Sequence, residues 1–234
     1  MLKLDISTIF FNKNHVLWLA LQWSACVIGF LPRFDVSAQP IEKITVASKR
    51  FTESYLLAEI ISQTLENKTP YQVSRKPGLG NTAILFSALK QGEIDIYPEY
   101  VGTITKEILK DPNLKSIDQI NRQLLPLNIQ AGVFLGFHNS YALAMKKDLA
   151  TQLNILRISD LVKHPQLKIG LSHEFLGRQD GWPAIKKNYQ LDFAKVIGLD
   201  HGFSYQALEK NQVEVIDAYT TDAGLVNPNV VLLQ

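Results

Sequence analysis

Residues 88–100, ALKQGEIDIYPEY, decide the fold, because they hold the end of a helix, a turn at Gly92, a short strand and then a tyrosine. The same layout returns without gaps at residues 207–219, ALEKNQVEVIDAY. Few of the aligned residues are identical and the unit is common, so the match alone does not distinguish an internal repeat from coincidence. Ligands of α/β sheets collect beyond the carboxyl ends of the strands, where Tyr100 and Tyr219 stand.

The sequence around both runs alternates short apolar strands with amphipathic helices, which predicts an α/β fold with mainly parallel sheets. In the first half we expect a strand at 44–47, a helix capped by Thr52, a strand around 71–73 broken by residues 77–80, a helix over 82–90, a strand at 94–97 and a helix over 116–125. In the second half we expect a strand at 141–145, a short helix capped by Ser159, a strand at 167–171 and a helix over 183–189.

Composition limits the class of protein. The chain has 234 residues, of which 46% are hydrophobic and 20% charged, as in an ordinary globular protein and unlike a disordered one. The formal net charge is +2, and charges of both signs are mixed along the chain. Without a basic stripe, nucleic acid is not an expected partner.

The first 38 residues resemble a secretory signal peptide. Lys3 and Lys13 precede an apolar run over 16–31, and small residues lead to a predicted cut after Ala38. A membrane anchor is the alternative, although 16 residues fall short of a typical span. Cys26, the single cysteine, suggests lipoprotein anchoring more weakly. We therefore expect an exported, periplasmic protein whose mature chain has no cysteine, which excludes disulfides and thiolate metal sites.

Motifs for catalysis or for a cofactor are missing from the sequence. His173 and Glu174 are followed by Gly177 where a zinc protease helix needs a second histidine. No Gly-x-Ser-x-Gly elbow occurs, and residues 78–80 lack both the third glycine of a dinucleotide loop and the lysine of a phosphate loop. The other histidines are scattered. The sequence predicts neither an enzyme nor a metal or cofactor site.

Tyrosines that follow strands, together with cations that could face a cleft, indicate a different chemistry. A quaternary ammonium group has no N–H to donate, so proteins surround it with the electron-rich faces of aromatic rings. A carboxylate on the same molecule requires donors, and arginine is the best of them because its fork matches both oxygens.

Six blocks in order resemble the glycine betaine/carnitine/choline-binding proteins of ABC transporters, across nearly the whole chain after residue 38. The blocks are ASKRFTE (47–53), GLGNT (78–82), GEIDIYPEYVGT (92–103), GFHNSYAL (136–143), SHEFLGRQDGWP (172–183) and DAYTTD (217–222).

The resemblance implies a type II periplasmic-binding-protein fold, in which two α/β lobes close on a ligand like a hinge. It places lobe 1 at 39–140, lobe 2 at 141–225, and the start of a strand returning to lobe 1 at 226–234. The resemblance implies that Tyr100, Tyr141 and Tyr219 form the family's ammonium cage. It implies that Arg178, Lys49 and Thr103 bind the carboxylate of the ligand. The implied protein is a monomer that serves a membrane permease.

The sequence departs from the family pattern in two places. Ser54 stands where many relatives carry glutamine, and the sequence stops at Gln234, within the start of the returning strand and before the segment that supplies a fourth tyrosine. Three hypotheses follow. The first is a binding protein that prefers glycine betaine over choline and carnitine, the second a truncated or split product that binds weakly or not at all, and the third an exported enzyme on this fold.

Overall fold

The structure is a computed structural model that describes residues 5–12 and 43–234. Its ten strands are β1 (Asp5–Asn12), β2 (Lys43–Lys49), β3 (Gln72–Gly80), β4 (Ile96–Tyr100), β5 (Ile129–Asn139), β6 (Tyr141–Lys146), β7 (Lys168–Ser172), β8 (Lys195–Leu199), β9 (Val215–Tyr219) and β10 (Val230–Leu232). Its α-helices are α1 (Thr52–Lys68), α2 (Thr82–Gln91), α3 (Val101–Thr103), α4 (Ile117–Leu124), α5 (Lys147–Leu153), α6 (His173–Gly177), α7 (Trp182–Tyr189) and α8 (His201–Glu209).

The strands form two five-stranded sheets with matching orders, β3-β2-β4-β1-β5 and β8-β7-β9-β6-β10. In the first sheet β2 runs parallel to β3 and β4, and β1 runs antiparallel to β4 and β5. In the second, β7 runs parallel to β8 and β9, and β6 runs antiparallel to β9 and β10. Each sheet with its helices makes one lobe. Both sheets contain parallel and antiparallel strand pairs, whereas the sequence predicted mainly parallel sheets.

The two aligned sequence runs occupy equivalent places in the two lobes. In lobe 1 the Thr45 amide donates to the Asp95 carboxylate at 2.8 Å, and the Asp95 amide donates back to the Thr45 carbonyl at 2.9 Å. In lobe 2 Lys168 and Glu214 make the same exchange at 2.6 and 2.8 Å. The shared hydrogen bonds establish an internal structural repeat, and Tyr100 and Tyr219 end its two equivalent strands.

Local sequence signals define where two helices of lobe 1 begin or end. The Asn81 side chain accepts from the Ile84 amide at 3.2 Å and caps the start of α2. Gly92 ends α2 with φ of +74°, a left-handed conformation that glycine adopts at little cost. The predicted helix over 82–90 is thereby confirmed. Ser116 and Gln119 form a capping box at the start of α4, and α4 confirms the helix predicted over 116–125.

Several predicted details are wrong. Thr52 is the first residue of α1 and makes no cap, because Phe51 takes the capping position. Residues 77–80 continue β3 instead of ending it. The strand expected at 94–97 begins at Ile96. The turn expected to be capped by Ser159 is a 3-10 helix, Ile158–Lys163, with Arg157 at its N-cap.

The last residues pair within lobe 2. We expected 226–234 to start a strand returning to lobe 1, but Val230–Leu232 forms β10 on β6, at the edge of the second sheet. Leu233 is buried in the lobe 2 core beside Leu143 and Ile155. Lobe 2 therefore includes this segment.

Strand β1 lies in the middle of the first sheet, a role that the sequence did not suggest. The Phe10 side chain is fully buried and meets the Tyr97 ring edge-on at 5.6 Å, and the Thr8 hydroxyl donates to the Gly132 carbonyl at 3.1 Å. In the second sheet the equivalent position is occupied by β6, and only Ser140 separates β6 from β5 in the sequence. Strand β1 in lobe 1 is thus the structural counterpart of the crossover strand β6 in lobe 2.

The export signal predicted over 1–38 extends mostly beyond the described residues, since 13–42, with Cys26 and the cut after Ala38, are outside them. Within 5–12 and 43–234, no helix is long and apolar enough to cross a membrane.

Replacing Phe10 by alanine should lower the free energy of unfolding of the full-length chain by about 3–5 kcal/mol, because a fully buried ring leaves a cavity. Phe134→Ala on β5 is the matched control, since that ring is 42% exposed and should matter far less. Urea unfolding followed by circular dichroism measures both. Equal, small effects would show that β1 does not contribute to lobe 1.

Candidate functional site

The predicted binding residues meet in a cleft between the lobes, at the carboxyl ends of β2, β4 and β9. The cleft encloses a cavity of about 20 Å³. Lobe 1 and the end of β5 line the cavity with Lys49, Phe51, Tyr100, Thr103 and Asn139. The crossover and lobe 2 add Ser140, Tyr141, Glu174 and Tyr219. Five of the six residues predicted from the sequence are among them, and Arg178 is adjacent.

Four aromatic rings form one cluster in this cleft. Tyr141 and Tyr219 are register partners on β6 and β9, with ring centres 5.1 Å apart. Phe51 lies 4.9 Å from the Tyr219 ring and 6.2 Å from the Tyr100 ring, so it bridges the lobes. The structure therefore brings the three predicted tyrosines together and adds Phe51. The sequence analysis missed Phe51, although it sits inside the 47–53 block at a strand-to-helix junction.

The Tyr100 hydroxyl is held by a carboxylate behind the cluster. It donates a short hydrogen bond to Glu53, whose same oxygen accepts from the Asn139 side-chain amide at 3.1 Å. Burial, followed by the negative charge of Glu53, raises the pKa of Tyr100, so the phenol stays protonated. Glu53 and Asn139 were not predicted as site residues, because the contact joins positions that are 86 residues apart.

Lys49 is paired with protein carboxylates instead of being left for a ligand. Its Nζ lies 2.7 Å from Glu99 Oε1 and 3.8 Å from Glu174 Oε1, and 5.7 Å from the centre of the Tyr100 ring. Complete burial raises the pKa of Glu99, and Lys49 opposes that rise. Burial would also raise the pKa of Glu174, but Lys49 and the Thr82 hydroxyl outweigh it and hold that pKa low.

Arg178 is oriented by Asp180 and points toward Thr103. Its Nε and Nη2 donate to the two Asp180 oxygens at 2.9 and 3.0 Å, and its Nη1 donates to Thr103 Oγ1 at 3.0 Å. The guanidinium carbon lies 5.6 Å from the centre of the Tyr141 ring. Each terminal nitrogen keeps one N–H without a hydrogen bond in the described part of the chain. Arg178 therefore retains donors at the end of its fork.

His201 is a charged residue behind Tyr219. Its ring centre lies 4.3 Å from that of Tyr219, its Nε2 is 2.9 Å from Asp222 and its Nδ1 is 3.8 Å from Asp217. Burial alone would lower the pKa of His201, but Asp217 and Asp222 outweigh it and raise the pKa to about 9. The sequence analysis did not single out His201, because no motif near it in the sequence indicates Asp217 or Asp222 as its partners.

Polar contacts across the cleft hold the lobes together. Thr82 of lobe 1 donates to Glu174 of lobe 2 at 2.6 Å, Arg178 reaches Thr103, and Lys106 lies 3.1 Å from Asp180. The enclosed cavity of about 20 Å³ has the size of a single water molecule. A larger ligand therefore has to separate these contacts before it enters between the rings.

Comparisons with known proteins show what this chain is similar to. A family model described as the substrate binding domain of ABC-type glycine betaine transport system matches residues 42–234. The ergothioneine transport permease/ergothioneine binding protein EgtU of Helicobacter pylori (strain G27) is 32% identical over 204 residues, which is 85% of this chain and 36% of that protein. The carnitine transport binding protein OpuCC of Listeria monocytogenes serotype 1/2a (strain 10403S) is 28% identical over 202 residues, which is 82% of this chain and 65% of that protein. The chain thus spans between about a third and two thirds of the length of these relatives.

A solved structure confirms the fold. The glycine betaine, L-proline ABC transporter binding protein ProX from Borrelia burgdorferi matches with a TM-score of 0.55 at 12% identity, covering 82% of this chain and 69% of that one. At this identity the match concerns the fold alone. The predicted two-lobed, type II periplasmic-binding-protein fold is correct.

The charge on His201 predicts how stability depends on pH. Its pKa of about 9 in the folded state lies above the ordinary value of 6.5, so the folded chain holds the proton more tightly than the unfolded one. The stabilisation is complete below about pH 6.5 and is lost as the pH rises through about 9. The free energy of unfolding, measured with urea across this range, should fall with a steeper slope in the wild type than in His201→Gln. His138→Gln, which removes an exposed imidazole, should keep the wild-type slope. Identical slopes in wild type and His201→Gln would contradict the charged state assigned here.

Proposed function

The chain belongs to the family of substrate-binding domains of ABC-type glycine betaine transport systems, and from this premise we propose that it captures a quaternary-ammonium solute between its lobes and delivers it to a membrane permease. No bond is made or broken in this function. The observation that carries the proposal is the cluster of Phe51, Tyr100, Tyr141 and Tyr219 at the meeting point of the two lobes.

The ring cluster fits a trimethylammonium group. Such a group is weakly hydrated and donates no N–H hydrogen bond, and ring faces attract it by about 2 kcal/mol when water is excluded. Tyr100 and Tyr219 are almost completely buried, so the contact would form out of water. Phe51 supplies a fourth ring, which the sequence analysis did not include.

A carboxylate on the same ligand would lie on the other side of Tyr141. There Arg178, held by Asp180 and hydrogen-bonded to Thr103, still has N–H donors at the end of its fork. Lys49 contributes less than the sequence predicted, because Glu99 and Glu174 already neutralise it. The arrangement favours a zwitterion such as glycine betaine over choline, which has no carboxylate to pair with Arg178.

Ligand capture and delivery follow from the position of the site between the lobes. Residues that would touch the ligand come from both sheets, so a bound solute stabilises the closed form relative to an open one. We further propose that the chain is exported by the segment within residues 1–38 and works outside the cytoplasmic membrane, where it presents its closed form to the permease. A single chain contributes every ring of the cage, in keeping with a monomer.

Removing one ring should weaken capture. Tyr141→Ala is expected to lower the affinity for glycine betaine about tenfold or more, because a desolvated cation–π contact contributes up to about 2 kcal/mol. Isothermal titration calorimetry measures the affinities. Tyr71→Ala, at the opposite end of the first sheet, is the matched control and should bind as the wild type does. If wild-type chain gave no heat with glycine betaine, carnitine or choline, the proposed function would be wrong.

The carboxylate assignment predicts a change in ligand preference. Arg178→Gln should lower the affinity for glycine betaine by about 10- to 100-fold, because a charge-assisted hydrogen bond is lost, and should affect choline far less. Lys106 stays beside Asp180 in this variant and limits the disturbance. Arg50→Gln, which removes a largely exposed guanidinium at the mouth of the cleft, is the control. An equal loss for both ligands would exclude the proposed role of Arg178.

A further inference from the structure

Lobe 2 carries a large open groove that is separate from the cleft between the lobes. The groove has a volume of about 940 Å³ and is bounded by α5, α8 and the segment that leads into β10. Lys146 and Val230, which line it, are register partners at the end of β6 that is farthest from Tyr141. None of the residues that line this α5–α8 groove also lines the cavity between the rings.

The internal repeat shows what lobe 1 places at the equivalent position. Strand β10 corresponds to β5 in the matching sheets, and α8 corresponds to α2 in the two aligned runs. The connection from β4 to β5 spans residues 101–128 and contains α4. The connection from β9 to β10 spans only residues 220–229 and contains a single 3-10 turn, Ala223–Val226. Lobe 2, whose residues 141–234 are all described, therefore has no counterpart of α4.

Helix α4 completes lobe 1 by burying one of its faces. Ile120 and Leu124, one helical turn apart, are fully buried in the core to which α2 also contributes. The Asn121 side-chain nitrogen donates to the Ala131 carbonyl at 3.0 Å, and its oxygen accepts from the Ala131 amide at 2.7 Å, so α4 is fixed to β5. The core beside α8 contains no residue of the connection 220–229. One side of that core is therefore left without a covering helix.

The lining of the groove has the chemistry of a helix-binding surface. Leu208, Val230 and the ring of Tyr205 give it apolar area, and Tyr205 and Val230 are only partly buried. Lys147 and Glu209, which also line it, are exposed and carry opposite charges. Amphipathic helices bind such grooves by laying apolar side chains at positions i and i+4 against the apolar part while their other faces stay in water.

We propose that the α5–α8 groove is a docking site for an amphipathic helix of a partner protein, which completes lobe 2 as α4 completes lobe 1. The partner helix presents two apolar side chains one turn apart, as Ile120 and Leu124 do. Helix α4 has eight residues and so spans about 12 Å, and a partner segment of that length is sufficient. The groove lies outside the ring cluster, so docking does not require a bound solute.

A peptide with the sequence of α4 and its flanks, residues 114–127, is the probe, because α4 is the chain's own example of a helix at this position. Fluorescein-labelled peptide should show a saturable rise in fluorescence anisotropy when it is titrated with the full-length chain. A peptide that carries Ile120→Asp and Leu124→Asp should bind about tenfold or more weakly, because its carboxylates would be buried without partners.

Two variants of the full-length chain locate the binding. Thr151→Arg places a long charged side chain in the groove and should weaken binding of the peptide about tenfold or more. Thr64→Arg on α1 is the matched control and should bind the peptide as the wild type does. Both threonines are exposed helix residues whose hydroxyl donates to the carbonyl four residues earlier.

Three results would overturn the proposal. The first is that the α4 peptide does not bind, and the second is that Thr151→Arg binds it as tightly as the wild type, which would place the peptide elsewhere on the chain. The third is that the wild type alone sediments as a dimer that Thr151→Arg separates, because a second copy would then fill the groove. Capture of a solute is tested independently, by the titrations with glycine betaine.

Discussion

Two hydrogen bonds between Ser140 and Thr220 hold the chain at the point where it passes from one lobe to the other. The Ser140 amide donates to the Thr220 hydroxyl at 3.0 Å, and the Thr220 amide donates to the Ser140 carbonyl at 2.9 Å. Because these hydrogen bonds fix Ser140 at the end of β9, the next residue, Tyr141, lies opposite Tyr219. The residue before Ser140, Asn139, lies on the lobe 1 side. The cavity forms around this one crossing.

The charges of the cleft are compensated within the protein. Lys49 pairs with Glu99, Arg178 with Asp180, and His201 with Asp217 and Asp222. Charges this deeply buried are tolerated only when they are paired, because taking an ion out of water is expensive. The proposed site would thus recognise a zwitterion through fixed donors and ring faces, with little contribution from excess charge. We expect the proposed affinity to depend only weakly on salt, since buried pairs are poorly screened.

The sequence predicted the parts of the site that local pattern controls. A strand that ends in tyrosine can be read from spacing, and so Tyr100 and Tyr219 were found, together with the helix that Asn81 and Gly92 delimit. Glu53 and Asn139 could not be found in this way, because their contact joins positions 86 residues apart and exists only in the folded chain. Arg178 was found through a motif, but its hydrogen bond to Thr103 joins the two lobes and could not be predicted from either lobe's sequence alone. Thr52 was misassigned as a cap because a polar residue at that position is the usual choice, whereas Phe51 is fixed there by packing.

Residues 5–12 lie within the predicted export segment and also form strand β1. An export segment is recognised while the chain is extended, yet here part of that region fills the centre of a sheet, with Phe10 inside the core. The two uses exclude each other in time, since residues 5–12 cannot be extended in an export machinery while they are paired with β4 and β5. Under the proposed export through residues 1–38, folding of lobe 1 and export would compete for the same eight residues, and the faster process would decide on which side of the membrane lobe 1 is completed.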